Sequence, residues 1–260
     1  IVIIKYLALN NTVAITPSTT SVYTVSGTNS IGCISSPITT TVSVGPIPTL
    51  AVNNGTICIG QSFTIQPTGG STYTIQGGNT VVTPSITSTY TIAGTSSLGC
   101  TSPTILTSTV SVNPLPTVSI SGTTALCTGQ SINLTASGAN TYTWSTSSNA
   151  GSISVAPTAN TTYTLSGTSA AGCISAAAAS LAVTVYSLPV VSITGTNALC
   201  SGQSVTLTAN GANSYSWSQG STNPTVTLTP SLTSNYTVIG KSNAGCTGNS
   251  TTITVTVRSE

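Results

Sequence analysis

One twelve-residue motif occurs four times in this chain, and its spacing limits what the chain can fold into. Each copy has Tyr-Thr-aliphatic near its start and Gly-Cys at its end, and the copies occupy 22–33, 89–100, 162–173 and 235–246. The four terminal cysteines are 67, 73 and 73 residues apart. This period is too long for one rung of a small solenoid and suits a compact domain. The sequence therefore predicts a tandem array of similar domains.

The motif itself predicts a half-buried strand followed by a hairpin. The tyrosine and the aliphatic residue two places on share one face of a strand, while the threonine between them points to the other face. The glycine that follows and the Gly-Cys ending supply the hairpin signal.

The third repeat shows the strand pattern most clearly. Its alternation of apolar and polar residues predicts strands at 117–121, 131–136, 141–145, 152–155, around Tyr163 and at 181–185, with a turn over 122–130. The alanine-rich stretch 175–180 favours helix by propensity, but its counterparts in the other repeats are rich in Thr and Ser, so we expect a strand there too. Six or seven short strands with turns between them are typical of an antiparallel sandwich of the immunoglobulin type. The predicted fold class is an all-β tandem array of such sandwiches.

Short linkers that contain proline separate the predicted domains. They occupy 45–48, 113–116 and 186–189 and delimit complete repeats at 48–113, 116–186 and 189–257. Proline fixes φ and removes an amide donor, so linkers of this kind predict stiff joints and a rod-like array.

Residues 1–44 form an incomplete repeat. Tyr6 stands 17 residues before Tyr23, as Tyr73 stands before Tyr90, so the back half of a domain is expected here. The Cys-x-Gly-Gln-Ser segment that precedes this tyrosine in the other repeats is missing from 1–44. Two explanations stay open: the chain is a window of a longer polypeptide, or a neighbouring subunit donates the missing strands.

Ionisable groups are almost absent from the sequence. Among 260 residues there are three basic groups, one acidic group and no histidine or methionine. General acid–base pairs and activated nucleophiles therefore have no partner, and calcium has no carboxylate cage, so we expect no catalytic residue, no metal site and no cofactor. The chain has too few lysines and arginines to bind nucleic acid through its phosphates. No apolar run is long enough to span a membrane.

The composition and the cysteines favour a location outside the cell. A nearly uncharged surface of Thr, Ser, Asn and Gly favours close packing against other chains, and hence self-association into a fibre or longer chain. The same surface is also compatible with a covering of hydroxyl-linked glycan. Seven cysteines at positions fixed by the repeat, without the spacing of a zinc site, predict disulfides in an oxidising compartment. The candidates are Cys33, Cys58, Cys100, Cys127, Cys173, Cys200 and Cys246.

The pairing of these cysteines has two solutions. Pairing within repeats joins Cys58 to Cys100, Cys127 to Cys173 and Cys200 to Cys246. In an immunoglobulin topology, however, the Gly-Gln-Ser turn and the last hairpin lie at opposite ends of a sandwich, too far apart for a disulfide. Pairing across the joints instead joins Cys58 to Cys173 and Cys127 to Cys246, and leaves Cys33, Cys100 and Cys200 to reach other segments.

Aromatic residues in the repeats are expected in the cores. Trp144 and Trp217 fall where an immunoglobulin sandwich buries its central tryptophan. The motif tyrosines Tyr23, Tyr90, Tyr163 and Tyr236 stand at strand starts and are interpreted as packing residues. The alternative is a platform that stacks against sugar rings.

Several motifs recur at matching positions of the repeats. They are the proline-containing linker, Cys-x-Gly-Gln-Ser at 58–62, 127–131 and 200–204, Gly-Ala-Asn-x-Tyr-x-Trp at 138–144 and 211–217, and the Gly-Cys hairpin. The whole repeat resembles the Ig-like/PKD-like repeats of very large secreted proteins of Bacteroidetes-type bacteria. The resemblance implies a stalk of a surface adhesin or gliding-type protein, or a spacer in a secreted hydrolase. The chain departs from the pattern at Ile75, which stands where later repeats have tryptophan.

These observations support three hypotheses of function. The first is a structural rod or filament of Ig-like domains on, or released from, a bacterial surface. The second is a binding module whose exposed Thr, Asn and Tyr side chains hold polysaccharide or another cell. The third is a non-catalytic spacer within a secreted hydrolase.

Overall fold

The computed structural model of the chain describes residues 2–3 and 12–258, and all regular structure within them is β-strand. The chain divides into two compact units, Ile1–Pro114 and Leu115–Glu260. The strands of the first unit are β1 (Val2–Ile3), β2 (Ser21–Val25), β3 (Ile38–Val42), β4 (Gly55–Cys58), β5 (Phe63–Thr64), β6 (Thr72–Ile75), β7 (Val81–Val82), β8 (Ser88–Thr95) and β9 (Leu106–Asn113).

The second unit contains the third and fourth repeats, each with seven strands. Those of the third repeat are β10 (Ser119–Gly122), β11 (Ala125–Cys127), β12 (Ile132–Ser137), β13 (Thr141–Trp144), β14 (Ser152–Val155), β15 (Thr161–Thr168) and β16 (Ala179–Tyr186). Those of the fourth are β17 (Ser192–Gly195), β18 (Ala198–Cys200), β19 (Val205–Asn210), β20 (Ser214–Trp217), β21 (Thr225–Leu228), β22 (Ser234–Lys241) and β23 (Thr251–Arg258).

The third repeat is a two-layer sandwich. One sheet has the order β10-β12-β14 and the other the order β11-β16-β15-β13. Along β12, every second residue is buried, and Leu134 from this sheet and Leu165 from the other are both completely buried. Strict alternation of this kind places one face of each sheet in a shared core. This strand order is that of an immunoglobulin-like sandwich.

The first strand of the third repeat passes from one sheet to the other at a glycine. Gly122 has a φ of +149°, a conformation that residues with a side chain rarely adopt. The chain then continues as β11, which pairs in parallel with β16. The predicted turn over 122–130 was therefore wrong in part, because Ala125–Cys127 is a strand. Its pairing partner lies more than fifty residues away, so local alternation could not reveal it.

The predicted strand over 175–180 was also wrong for its first four residues. β16 begins only at Ala179, and residues 175–178 lie outside the strands and helices. The amide of Ser175 donates to Gly167 O at 2.9 Å, so this segment is still held against the end of β15. The ladder starts where Ala179 faces Leu165.

The fourth repeat reproduces the third in every sheet. The orders are β17-β19-β21 and β18-β23-β22-β20, and Gly195, with a φ of +140°, stands at the crossing between β17 and β18. Its core contains Leu207, Val238 and Val255, all completely buried. The all-β array of immunoglobulin-like sandwiches predicted from the sequence is confirmed.

The second repeat is a reduced version of the same sandwich. Its larger sheet has the order β4-β9-β8-β6, but the other sheet consists of β5 and β7 alone. The buried core cluster contains three isoleucines, Ile65, Ile75 and Ile92. Ile75 occupies the place of the tryptophan in the later repeats, so this core is smaller.

Residues 12–44 contain β2 and β3, which form an antiparallel pair. The backbone of β1 lies parallel to β2, whereas in the complete repeats the equivalent neighbour of this strand is antiparallel. Tyr23 is buried at 7% exposure. Tyr6, whose spacing from Tyr23 indicated the back half of a domain, lies outside the described residues.

Candidate functional site

The described residues contain no cluster of three or more His, Cys, Asp or Glu side chains that could hold a metal ion. The described part of the chain also has no helix long and apolar enough to cross a bilayer. The feature that carries distinctive chemistry is a disulfide in the second unit, where the third repeat meets the fourth. We call this place the 3/4 joint.

The first half of the 3/4 joint is a tight turn at 127–130, which we call the turn half-site. The amide of Gln130 donates to Cys127 O at 3.0 Å, and the side-chain oxygen of Gln130 accepts from the amide of Cys127 at 3.1 Å. Gly129 supplies the φ of +88° that the turn requires. The amide of Thr128 donates to Tyr186 O at 2.9 Å, which fixes the turn to the end of β16.

The second half is the hairpin at 242–246, which we call the hairpin half-site. The amide of Ser242 donates to Cys246 O, and the amide of Gly245 donates to Ser242 O, both at 2.9 Å. The hydroxyl oxygen of Ser242 accepts from the amide of Cys246 at 3.2 Å. With every one of these backbone groups paired, the hairpin holds the Cys246 sulfur at a defined position.

A disulfide joins the two half-sites. It links Cys127 to Cys246 with a Cα–Cα distance of 5.6 Å, inside the range that disulfides adopt. Cys246 is completely buried, and its sulfur lies 4.0 Å from Tyr186 O in the linker. The bond therefore connects the turn of one sandwich to the last hairpin of the next.

Pairing within repeats was wrong for this part of the chain. Cys127 is bonded to Cys246 and not to Cys173, and Cys200 is free, so it is not bonded to Cys246. The predicted bond from Cys58 to Cys100 is also absent, because Cys100 is free.

The strand ladder gives the physical reason. Cys127 pairs with Tyr186, the last residue of β16. The hairpin that ends at Cys173 follows β15 and lies at the other end of β16, where Ala179 pairs with Leu165. The eight residues of β16 span roughly 25 Å, several times the distance that a disulfide can bridge.

The linker of the 3/4 joint packs against the fourth repeat. A Cβ added to Gly248, two residues after Cys246, would overlap Pro189 O, so the hairpin backbone lies directly on the linker. The hydroxyl of Thr251 donates to Val191 O at 2.8 Å. These contacts attach the start of the fourth sandwich to its own last hairpin.

The remaining cysteines fall into two groups. Cys58 and Cys173 are disulfide-bonded residues. Cys33, Cys100 and Cys200 are free; Cys33 and Cys200 are exposed, whereas Cys100 is partly buried. The Cys100 sulfur lies 3.8 Å from Gly45 O, as Cys246 lies near Tyr186 O.

The tryptophans lie inside the sandwiches. Trp144 is 2% exposed and Trp217 3% exposed. The Trp144 indole N–H donates to Ala150 O at 2.8 Å, and the Trp217 indole N–H donates to Asn223 O at 2.9 Å. Both rings are unavailable for stacking against a sugar.

The motif tyrosines lie at different depths. Tyr163 is buried at 6% exposure, whereas Tyr90 and Tyr236 are partly buried and pack against the core clusters of their repeats.

A second set of tyrosines has a role that sequence reasoning missed. The hydroxyl of Tyr142 donates to Ala139 O at 2.9 Å and accepts from the amide of the same residue, and Tyr215 makes the same pair of bonds with Ala212. Each ring closes the turn before its own strand. The repeated Gly-Ala-Asn-x-Tyr spacing was the available signal. Sequence reasoning also missed the roles of Gln130 and Ser242. Each lies in a recognised motif, but the sequence did not show that its side-chain oxygen accepts a hydrogen bond from a cysteine amide.

Comparison with known proteins gives similarity in fold only. No protein-family model matches the chain, and no curated protein matches it. Similar solved structures include a Ca²⁺-stabilised adhesin that helps an Antarctic bacterium to bind ice, with a TM-score of 0.41, 14% identity, and coverage of 90% of this chain and 81% of the adhesin. Immunoglobulin domains 1–5 of Sidekick-1 give a TM-score of 0.33 at 11% identity, covering 95% of this chain and 68% of that one.

A third similar structure is that of the fibronectin(III)-like modules of Clostridium thermocellum CbhA. Its TM-score is 0.30 at 11% identity, with coverage of 54% of this chain and 94% of the modules. Two of these neighbours consist of immunoglobulin domains and of fibronectin(III)-like modules, and the third is a bacterial adhesin. At these scores they carry no argument about function, and the fold assignment rests on strand order and register.

Proposed function

We propose that this chain is a structural segment of an extracellular stalk or filament, secreted or held on a bacterial surface. Its domains extend and resist deformation, and they do not transform a substrate. Self-association of such segments into a fibre is part of the proposal.

The observation that carries the proposal is the disulfide of the 3/4 joint. A bond between consecutive sandwiches limits the angle between them, because it adds a second covalent connection to a linker of only a few residues. A disulfide typically stabilises the folded state by about 2–4 kcal/mol. A disulfide across a domain joint suits a protein that must resist bending better than it suits a binding module whose domains hinge freely.

The composition supports the same proposal. With four ionisable side chains of the Lys, Arg, Asp and Glu types in 260 residues, like-charge repulsion between neighbouring chains is almost absent. The exposed threonines and serines can pack against another copy or carry glycan. Polysaccharide binding through stacked indoles is disfavoured, because both tryptophans are buried.

Images of the isolated chain test the proposal. We expect linear particles in negative-stain micrographs, with one bead per repeat and an axial spacing of about 30–40 Å, since an eight-residue strand alone spans roughly 25 Å. The matched control is the double variant Cys127→Ser with Cys246→Ser, which keeps both sandwiches and removes the disulfide between them.

In the control, the angle between the last two beads should vary more widely than in the unaltered chain. Equal angular distributions would show that the bond does not stiffen the joint. Particles that collapse into one globule, or a catalytic turnover that maps to these residues, would contradict the proposed function.

A further inference from the structure

Both half-sites of the 3/4 joint recur elsewhere in the chain. Turn half-sites occupy 58–61, 127–130 and 200–203, and hairpin half-sites occupy 29–33, 96–100, 169–173 and 242–246. The array therefore carries copies of the two parts that make a disulfide at a joint.

The turn at Cys200 has the geometry of the bonded turn at Cys127. The amide of Gln203 donates to Cys200 O at 3.1 Å, against 3.0 Å for the equivalent bond in the turn at Cys127. The central glycines have φ values of +86° at Gly202 and +88° at Gly129. Cys200 is free and exposed, so its turn is a half-site without its hairpin.

The hairpin at Cys33 has the geometry of the bonded hairpin at Cys246. The amide of Asn29 donates to Cys33 O at 3.0 Å, and the Asn29 side-chain oxygen accepts from the amide of Cys33 at 2.8 Å, in the role that Ser242 has at the joint. Gly32 has a φ of +86°. Cys33 is free and exposed, so this hairpin is a half-site without its turn.

The hairpin at Cys100 differs because the linker at Gly45 lies against it. Its Leu98 side chain packs so closely on Gly45 that an added Cβ there would lie 2.7 Å from it, and the Cys100 sulfur lies near Gly45 O. Ile31, the equivalent of Leu98, is 82% exposed, against 60% for Leu98. The Cys33 hairpin thus presents an uncovered apolar residue beside an exposed thiol.

We propose that Cys200 of one copy of this chain and Cys33 of a second copy form a disulfide, so that copies join head to tail. The bond repeats the rule of the 3/4 joint, in which the turn cysteine of one sandwich pairs with the hairpin cysteine of the following one. The inference rests on the proposed stalk or filament and adds a covalent link between its subunits.

The reaction is thiol–disulfide exchange with a small-molecule disulfide as the oxidant. One cysteine thiolate attacks oxidised glutathione, which forms a mixed disulfide and releases one reduced glutathione. The second thiolate attacks the cysteine sulfur of the mixed disulfide, which forms the Cys33–Cys200 bond and releases the other glutathione. Two cysteine thiols are oxidised, one glutathione disulfide is reduced, and the two cysteine protons end on the glutathione thiols.

The test incubates the full chain, folded with its internal disulfides, with oxidised and reduced glutathione and follows it by non-reducing gel electrophoresis. The unaltered chain should give a ladder of dimers, trimers and larger species. Cys33→Ser alone and Cys200→Ser alone should each remain monomeric. An equimolar mixture of these two variants should give dimers and nothing larger, because each dimer has one Cys33 and one Cys200, which are then used up. Cys100→Ser is the matched control and should leave the ladder unchanged.

Peptide mapping of the unaltered ladder checks the bond without any variant, and should yield a disulfide-linked pair of peptides that contain Cys33 and Cys200. Dimers of either single variant, linkage through Cys100, or monomers capped by glutathione would each overturn the proposal. Capped monomers that are still linear in micrographs would overturn only this bond. Globular monomers would contradict the proposed function itself.

Discussion

At the scale of single residues, the fold depends on glycines at places where the backbone makes a close approach. Gly138 lies between β12 and β13 with a φ of +96°, and an added Cβ would overlap Thr117 O. Gly211 does the same in the fourth repeat against Val190 O. The sequence showed both as the first residue of the Gly-Ala-Asn motif. The sequence could not show that these two glycines contact the backbone just before the first strand of their repeats, because the packing of the sandwich sets that contact.

Replacing Gly138 by alanine tests this contact. We expect Gly138→Ala to lower the free energy of unfolding of the third repeat by more than about 2 kcal/mol, since a left-handed conformation and a backbone overlap act together. The matched control is Gly129→Ala, which has a similar φ of +88° but open space around the added Cβ, so only about 1–2 kcal/mol should be lost.

Urea unfolding followed by fluorescence gives both values. In a Trp217→Phe background, Trp144 is the single tryptophan and reports on the third repeat. Equal losses for the two variants would mean that the contact with Thr117 O costs nothing beyond backbone strain.

At the scale of strands and sheets, local alternation of apolar and polar residues predicted strands correctly, whereas a strand that depends on long-range pairing was missed. The predicted strands at 131–136, 141–145 and 152–155 correspond to β12, β13 and β14 within one residue at each end. Each has apolar residues at every second position. The short strand β11 was missed because three residues show no period, and its place depends on the last strand of the repeat.

The three complete repeats differ in the amount of core that their sheets bury. The second repeat has a two-stranded sheet of two-residue strands, and its cluster contains three buried residues where the third repeat has ten. A short sheet with few buried contacts opens at low free-energy cost. The second repeat should therefore be the least protected of the three.

Hydrogen–deuterium exchange measures this difference within one sample. Amides in β5 and β7 should exchange faster than those in β12, β14, β19 and β21, which are the equivalent strands and serve as internal controls. Equal or slower exchange in β5 and β7 would contradict the reduced core as the cause.

At the scale of the whole molecule, strand hydrogen bonds, packing, prolines and disulfides hold the chain together, with almost no contribution from charge. Its ionisable groups are too few for ion-pair networks. The sequence predicted the set of cysteines from the repeat, but it left two pairings open. The choice between them at the 3/4 joint depends on which ends of two neighbouring sandwiches meet, and only the strand order decides that.

A tryptic digest of the unfolded, alkylated and unreduced chain tests the disulfide of the 3/4 joint directly. Trypsin cuts after the three basic residues, Lys5, Lys241 and Arg258, so Cys246 lies in the fragment 242–258, and both Cys127 and Cys200 lie in 6–241. The small fragment should stay attached until reduction in the unaltered chain and in Cys200→Ser, and it should be released without reduction in Cys127→Ser. Release from Cys200→Ser and retention in Cys127→Ser would contradict the bond between Cys127 and Cys246 across the 3/4 joint, and with it the proposed stiff array.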